Sequence, residues 1–148
     1  MLTAPELAVR QAGPSDAELL ADLHHACFAR AWDAIAMLAF ATSPETLCLI
    51  GSAGMPGGLL IARKAGNEAE ILTFGVVPSC RNKGLGRALL QTATEHLRAS
   101  GMKRLFLEVE EGNAAALHLY RSFGGQPVGR RHGYYDHGAD AVIFSLAL

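Results

Sequence analysis

The chain has 148 residues, of which 50% are hydrophobic and 18% are charged, and its formal net charge is −1. A chain of this size can bury a hydrophobic core without disulfides or metals, so we expect one domain over residues 1–148. The near-zero charge argues against nucleic acid as the main partner, since proteins that bind it usually carry a basic face. The apolar runs are too short for a membrane span, and the N-terminus lacks a signal-peptide pattern, so no membrane partner is expected.

The cysteine content bears on the cellular compartment. The cysteines are odd in number and scattered along the chain, at Cys27, Cys48 and Cys80. Neither a disulfide framework nor a zinc-binding spacing is indicated. A reduced, cytoplasmic setting is therefore predicted.

The first predicted strand covers residues 7–11, and a helix follows it. Ser15 and Glu18 match a capping box at the start of this helix. Apolar residues at helical spacing then give the helix a buried stripe, formed by Leu19, Leu20, Leu23 and Cys27. The adjacent His24 and His25 are most simply surface residues.

A second, short helix is predicted after Trp32, with Asp33 as its N-terminal cap. Phe28 and Trp32 lie at the join between the two helices. An aromatic residue at such a join either packs in the core or forms the wall of a ligand site, and the sequence leaves both interpretations open. Two short strands are then predicted, over residues 46–52 and 58–63.

The stretch over residues 71–90 reads ILTFGVVPSCRNKGLGRALL and predicts a buried strand, a loop and a helix. The strand ends at Val77, and the helix begins near Gly84 and runs to about residue 100. The first turn of a helix has unpaired N–H groups and a dipole that favours negative charge. Gly84 and Gly86 let this backbone approach a ligand, and basic side chains add positive charge, namely Arg81, Lys83 and Arg87. The combination is suited to binding a pyrophosphate.

The second half of the chain predicts a strand over residues 104–109 and a helix from Ala114 to about Phe123, capped by Asn113. Two final strands are predicted near residues 128–135 and 141–147. The full order is then β-α-α-β-β-β-α-β-α-β-β. Most strands are joined by hairpins, and parallel pairing is expected where a helix intervenes. The fold class is therefore α/β of the α+β type, with a mixed, mostly antiparallel central sheet flanked by helices.

Glu108 is a candidate proton acceptor at the end of an apolar strand. By strand alternation it shares a face with Phe106, while the neighbouring apolar residues point to the other face. If helices cover both faces, partial desolvation would favour the neutral carboxyl group and suit it to accept a proton near neutral pH. The alternative is an acid that faces water, as expected for Glu110. Strand geometry alone does not choose between them.

Tyr120 is a candidate proton donor. It lies between Leu117 and Phe123 at helical spacing, where a tyrosine usually belongs to the core. Its hydroxyl group could instead meet a thioester and protonate the departing thiolate. The sequence spacing leaves both roles open.

The motif Arg-x-x-Gly-x-Gly over residues 81–86 is similar to the acetyl-coenzyme A signature of the GNAT acetyltransferases. It matches neither a P-loop nor a dinucleotide-binding fingerprint. The string LEVEEGNAAALHLYRSFGG over residues 107–125 resembles the second half of a GNAT domain. The tail GRRHGYYDHGADAVIFSLAL is similar to that of RimI-like enzymes, which acetylate the N-terminal alanine of a ribosomal protein.

This resemblance implies a GNAT-like fold and specific residue roles. Glu108 would be the general base and Tyr120 the general acid. Val76 and Val77 would offer backbone groups to the pantetheine of acetyl-CoA, and Asn113 would be a further coenzyme contact. The pyrophosphate would be held by Arg81, Asn82, Lys83, Gly84, Leu85, Gly86 and Arg87. The acceptor side would include Phe28, Trp32, Tyr134 and Tyr135.

The resulting hypothesis is an acetyl-CoA-dependent N-acetyltransferase whose acceptor is a protein N-terminus. A small-amine or amino-acid acetyltransferase is the alternative enzyme, and a CoA-binding regulatory domain without catalysis is the alternative of another class. No metal is expected, because His132, Asp136 and His137 lie on a turn with irregular spacing. Tyr134 and Tyr135 would alternate across a strand, so only one is expected to face the acceptor. A monomer or a homodimer is expected.

Overall fold

The computed structural model describes residues 6–148, which form one sheet of seven strands flanked by α-helices, four in all. Their bounds are β1 Leu7–Gln11, α1 Ala17–Cys27, α2 Ala34–Thr42, β2 Thr46–Ala53, β3 Pro56–Ala65, β4 Glu68–Val76, α3 Leu85–Ala99, β5 Arg104–Glu110, α4 Ala114–Ser122, β6 Gln126–Arg131 and β7 Ala141–Ala147. Short 3-10 turns precede α1 and follow β4. The predicted order of strands and helices is confirmed. Within residues 6–148 no helix has the length and apolar character needed to cross a membrane.

The strands form one mixed sheet in the order β1-β2-β3-β4-β5-β7-β6. Every neighbouring pair is antiparallel except β4 and β5, which are parallel and joined through α3. The predicted fold class is thus confirmed. The expectation of parallel pairing where a helix intervenes holds only across α3. It is wrong for β1 and β2, which pair antiparallel although α1 and α2 lie between them. It is also wrong across α4, because β7 inserts between β5 and β6 and pairs antiparallel with both.

Glycines inside the strands let helices pack closely on both faces of the sheet. A Cβ atom on Gly51 or Gly58, which are partners across β2 and β3, would lie 2.8 Å from a leucine side chain of α3. A Cβ atom on Gly75 of β4 would lie 3.0 Å from Cys27 of α1. Gly75 precedes Val76, the partner of Gly58, so it faces the opposite side of the sheet. The sheet is therefore covered by α1 on one face and α3 on the other.

The helix starts are set by local hydrogen bonds. Asp33 caps α2 as predicted, since its carboxylate accepts the N–H of Ala36 at 2.9 Å. The capping box predicted for α1 is wrong, because the helix begins at Ala17 and follows a 3-10 turn. In that turn the Asp16 carboxylate accepts hydrogen bonds from the Arg10 guanidinium and the Gly13 N–H, each at 2.9 Å. These bonds lower the pKa of Asp16 to about 2.

The parallel strands β4 and β5 diverge along their length. They pair only over residues 68–70 and 104–106. The register between β3 and β4 shifts at Leu72, and a bulge of this kind bends and twists a strand. Beyond residue 70, no strand in the described part of the chain pairs with the edge of β4 that faces β5. The sheet consequently opens into a cleft at the carboxyl ends of these two strands.

Candidate active site

A cavity of about 370 Å³ lies in the cleft between β4 and β5. It brings together five of the residues predicted for the site, which are Phe28, Glu108, Tyr120, Tyr134 and Tyr135. The floor is formed by the diverging strands themselves, from Ile71 to Phe74 and from Phe106 to Glu108. Residues that are far apart in the sequence thus line one space, which supports a common role.

Glu108 lines this cavity together with Phe106, which strand alternation places on the same face of β5. Leu105, Leu107 and Val109 are buried on the other face of β5, while the Glu108 side chain is 29% exposed. Its Oε1 lies 3.0 Å from Nε of Arg131, at the end of β6. The carboxylate is therefore neither an acid free in water nor a fully buried group, because a guanidinium holds it at the cavity wall.

Arg131 is a site residue that the sequence interpretation missed. Its guanidinium pairs with Glu108 and also lies over the Tyr134 ring, 5.4 Å from the centroid. It lines the cavity between these two groups. The pair Arg130-Arg131 was visible in the sequence as a local concentration of positive charge. Only the pairing of β7 with both β5 and β6 brings Arg131 next to Glu108.

Tyr120 belongs both to the core and to the cavity. The residue is 6% exposed, and its ring packs against Phe74 and Phe144 at centroid distances of 6.4 and 6.0 Å. The side chain also lines the cavity. Burial, with a smaller contribution from nearby Tyr135, raises the pKa of Tyr120 well above its ordinary value. The phenol thus stays protonated near neutral pH, as a proton donor requires.

The loop between β4 and α3 presents a helix N-terminus, as predicted. Gly84 has φ of +84°, and the first helical hydrogen bond runs from Ala88 N–H to Gly84 O at 3.0 Å. The preceding N–H groups of α3 have no carbonyl partner within the helix and can bind an anion. Asn82 is also left-handed, at φ of +61°, and its side chain is exposed together with that of Lys83.

Some of the groups predicted to contact the coenzyme are hydrogen-bonded within the protein. Arg81 Nε donates to the Val76 carbonyl at 2.9 Å, and the Val77 N–H donates to Gly57 O at 2.8 Å. Arg87 donates to the Ser122 hydroxyl at 2.9 Å, which ties α3 to α4. Lys83 and the backbone of the loop are therefore the stronger candidates for phosphate contacts.

We predict opposite effects on stability for the two glycines of this loop. Gly84→Ala would force an L-residue into a left-handed conformation and should cost about 1–2 kcal/mol. Gly86→Ala should gain up to about 1 kcal/mol, because its Cβ would meet no atom closer than 3.8 Å. Urea unfolding should place the two variants on opposite sides of the wild type. A stabilised Gly84→Ala variant would contradict the left-handed loop.

Asn113 caps α4, as the sequence predicts. Its side-chain oxygen accepts the Ala116 N–H at 3.1 Å. The predicted contact between Asn113 and the coenzyme stays a prediction, since this hydrogen bond accounts for the residue's place at the start of the helix.

Not all of the residues predicted for the acceptor side line the cavity. Trp32 does not line the cavity, and its ring stacks on His24 instead. His24 is buried, at 3% exposure, so the expectation of a surface histidine is wrong. Tyr134 and Tyr135 lie on a loop beyond the end of β6. The prediction that they alternate across a strand is therefore wrong, and both line the cavity.

The loop that carries the two tyrosines is fixed by charged groups. The Asp140 carboxylate accepts the Gly133 N–H at 2.8 Å and pairs with Arg130 and His132, each at 3.0 Å. His137 pairs with Glu110 at 3.3 Å. Within the described residues, no group of three or more His, Cys, Asp or Glu side chains has the arrangement of a metal site.

A sheet that opens between two parallel strands, the first of which leads into a helix N-terminus, is an α/β architecture that this chain shares with N-acetyltransferases. The crystal structure of the ribosomal-protein-S18-alanine N-acetyltransferase from Escherichia coli superposes with a TM-score of 0.86, covers 96% of this chain and 94% of that one, and is 27% identical. The chain belongs to the acetyltransferase (GNAT) family, whose model matches residues 4–125. The predicted family is confirmed.

Two curated relatives indicate which acetyltransferases within the family this chain resembles. A [ribosomal protein bS18]-alanine N-acetyltransferase of Escherichia coli strain K12 is 39% identical over 85 residues, which cover 55% of this chain and 57% of that protein. N-alpha-acetyltransferase RimI of Mycobacterium tuberculosis is 42% identical over 94 residues, or 63% of this chain and 56% of that protein. The chain thus aligns with little more than half the length of these relatives. The predicted similarity to RimI-like enzymes is confirmed.

Proposed function

We propose that this chain transfers the acetyl group of acetyl-CoA to a primary amine, with the N-terminal α-amine of a protein as the acceptor. The observation that carries the proposal is the cavity between β4 and β5, which contains a carboxylate, Glu108, and a protonated phenol, Tyr120. In the chain, the loop after β4 leads directly to the N-terminus of α3. Family membership supports acetyl-CoA as the donor.

The residues present suit coenzyme A. From residue 71 onward the edge of β4 that faces β5 lacks a strand partner in the described chain, so its backbone can pair with the extended amide chain of pantetheine. The N–H groups at the start of α3 and the exposed Lys83 would hold the pyrophosphate. Bound in this way, acetyl-CoA supplies an activated acyl group.

The proposed reaction is direct attack by the neutral amine. Glu108 accepts a proton from the attacking nitrogen, directly or through a water molecule, as the new C–N bond forms. The C–S bond breaks, and Tyr120 donates its proton to the leaving thiolate. A positioned acid or base contributes roughly 10²–10⁴-fold to the rate, which is a reasonable share for each of these groups.

An N-terminal α-amine suits a single modest base. An α-amine with a pKa near ~8 is about a tenth neutral at pH 7, whereas a lysine near ~10.4 is neutral at well under ~0.1%. The difference of ~2.5 units corresponds to ~3.4 kcal/mol. The aromatic wall of Phe28, Tyr134 and Tyr135 offers an apolar contact surface for the first residues of a peptide. The names of the relatives favour an N-terminal alanine.

The test is thiol release from acetyl-CoA with short peptides that begin with Ala, Ser or Met, beside an acetyl-Ala peptide, spermidine and free amino acids. We expect turnover on free Ala-starting peptides and none on the blocked peptide. Turnover confined to spermidine or an amino acid would reject the protein N-terminus and favour a small-amine enzyme. Tight CoA binding with no turnover on any acceptor would favour the regulatory domain.

The remaining assignments extend this proposal. We take residues 1–148 as one acetyltransferase domain. The location would be cytoplasmic, since the cysteines, Cys27, Cys48 and Cys80, are unbridged and free thiols are typical of a reducing compartment. The protein would act as a monomer or a homodimer.

A further inference from the structure

A buried histidine of α1 is hydrogen-bonded to the loop of residues 28–33, which joins α1 to α2. The imidazole of His24 is 3% exposed, and its Nδ1 accepts the backbone N–H of Trp32 at 3.0 Å. An accepting Nδ1 carries no proton, so the neutral ring is protonated on Nε2. An imidazolium ring could not accept this hydrogen bond, because both of its nitrogens are donors.

The same ring connects the loop to the cavity wall. The His24 ring stacks on Trp32, with centroids 4.7 Å apart and planes inclined by 14°, and it contacts the Phe28 ring at 4.6 Å. Phe40 of α2 extends this aromatic cluster, since its ring centroid lies 5.3 Å from that of Trp32. Phe28 lines the cavity, whereas His24 does not. The imidazole therefore lies between the aromatic core of α1 and α2 and one wall of the cavity.

We propose that His24 is a positioning residue for the acceptor. Its neutral imidazole holds the 28–33 loop against α1 and thereby places Phe28 on the acceptor side of the cavity, and loss of the hydrogen bond to Trp32 releases that wall. The inference rests on the proposed function, since it assigns this side of the cavity to the acceptor. The loop also reaches the tyrosine-bearing loop through an exposed ion pair between Arg30 and Asp136, at 2.8 Å.

The surroundings of His24 favour the neutral ring. Helix α1 packs on α2, β3, β4 and the preceding 3-10 turn, and α2 has no titratable side chain. Among the described residues, no charged group bonds to the imidazole. The titratable groups of α1, of the 28–33 loop and of the packed elements are Asp16, Glu18, Asp22, His25, Cys27, Arg30, Asp33, Arg63, Lys64, Glu68 and Glu70. Burial lowers the pKa of His24. The loop should thus be fully held above pH ~6.5 and released as pH falls through the lowered value.

Two substitutions separate the hydrogen bond from the stacking. His24→Phe keeps an aromatic ring and removes the acceptor, whereas His24→Asn offers an oxygen that can accept the Trp32 N–H and does not titrate. We expect His24→Phe to raise the KM for the acceptor peptide about tenfold, with the KM for acetyl-CoA nearly unchanged. His24→Asn should recover most of this loss. His25→Asn, on the exposed neighbour, is the matched control and should change neither constant.

A spectroscopic measurement is independent of acetyl transfer. Trp32 is the single tryptophan of the chain, so intrinsic fluorescence reports on the ring stacked against His24. Protonation of His24 changes the ring that contacts the indole and breaks the hydrogen bond to the Trp32 backbone, so wild-type emission should change in a step as pH drops below ~6.5. The step should be absent in His24→Asn. The acceptor KM of the wild type, divided by that of His24→Asn, should rise as pH drops over the same range. Because the acceptor ionises equally in both assays, its own ionisation cancels in this ratio.

The outcomes of these experiments can be distinguished from those of the assay that tests the proposed function. An unchanged acceptor KM in His24→Phe, or an equal fluorescence step in wild type and His24→Asn, would overturn the inference. If His24→Phe does not fold, the pH step and the KM ratio decide, and a wild type without the step overturns the inference. A chain that acetylates no acceptor yet shows the His24-dependent step would contradict the proposed function and support the placement of the loop by His24.

Discussion

Replacing Glu108 with Gln is expected to lower kcat by about 10²–10⁴-fold, while acetyl-CoA still binds with nearly wild-type affinity. The amide has the shape of the carboxyl group but cannot accept the proton of the attacking amine. The side chain lines the cavity beside Arg131, whereas no residue of α3 or of the loop before it lines that cavity. Steady-state kinetics on the best acceptor, with coenzyme binding measured separately by calorimetry, would check both parts.

Two controls isolate the role of Glu108 as a base. Glu110→Gln changes a carboxylate two residues further along the same strand, which pairs with His137, and should leave kcat within about threefold, since a surface ion pair contributes little. Arg131→Met removes the partner of Glu108 while keeping the carboxylate. If Glu108→Gln retained wild-type turnover, the carboxylate would not be the base. An equal loss in Arg131→Met and Glu108→Gln would assign the effect to their ion pair.

Replacing Tyr120 with Phe is expected to lower kcat by about 10²-fold or more, because the leaving thiolate then lacks its proton donor. The ring packing against Phe74 and Phe144 is kept, so the free energy of unfolding should change by less than about 1.5 kcal/mol. Since burial raises the pKa of Tyr120, the phenol stays protonated beyond its ordinary value of about 10. The wild-type profile should therefore show no basic limb from Tyr120 between pH 6 and 9.

Tyr135→Phe is the matched comparison for Tyr120. Tyr135 also lines the cavity, and burial followed by the nearby Glu108 carboxylate raises the pKa of Tyr135 as well. We expect Tyr135→Phe to alter the acceptor KM more than kcat. A large loss of kcat in Tyr135→Phe, with Tyr120→Phe close to wild type, would transfer the role of proton donor to Tyr135.

Local patterns predicted the elements well because they depend on short-range chemistry. The apolar run after Ile71, the glycine at position 84 and the caps at Asp33 and Asn113 each act within a few residues. The start of α1 was predicted less well. Ser15 had the right residue type for a cap, but Arg10 on the neighbouring strand selects Asp16 by an ion pair, and that choice is not visible in a local pattern.

The residues of the site likewise include some that local patterns predicted and some that they did not. Strand alternation placed Glu108 on the correct face of β5, and helical spacing placed Tyr120 in the core. Neither pattern could show that the two line one cavity, since 11 positions and a turn separate them in the chain. The interpretation of Tyr134 and Tyr135 failed because β6 ends at Arg131 and the tyrosines lie on a loop fixed by Asp140.

By itself the sequence determined the family, the order of strands and helices, and the chemical types of the candidate catalytic groups, because these follow from residue types at short spacings. The tertiary structure decided the opening between β4 and β5, the contact of Arg131 with Glu108 and the burial of His24. Each of these depends on strand order and helix packing between distant parts of the chain. Such long-range pairings leave no periodic signal in the residues that they join.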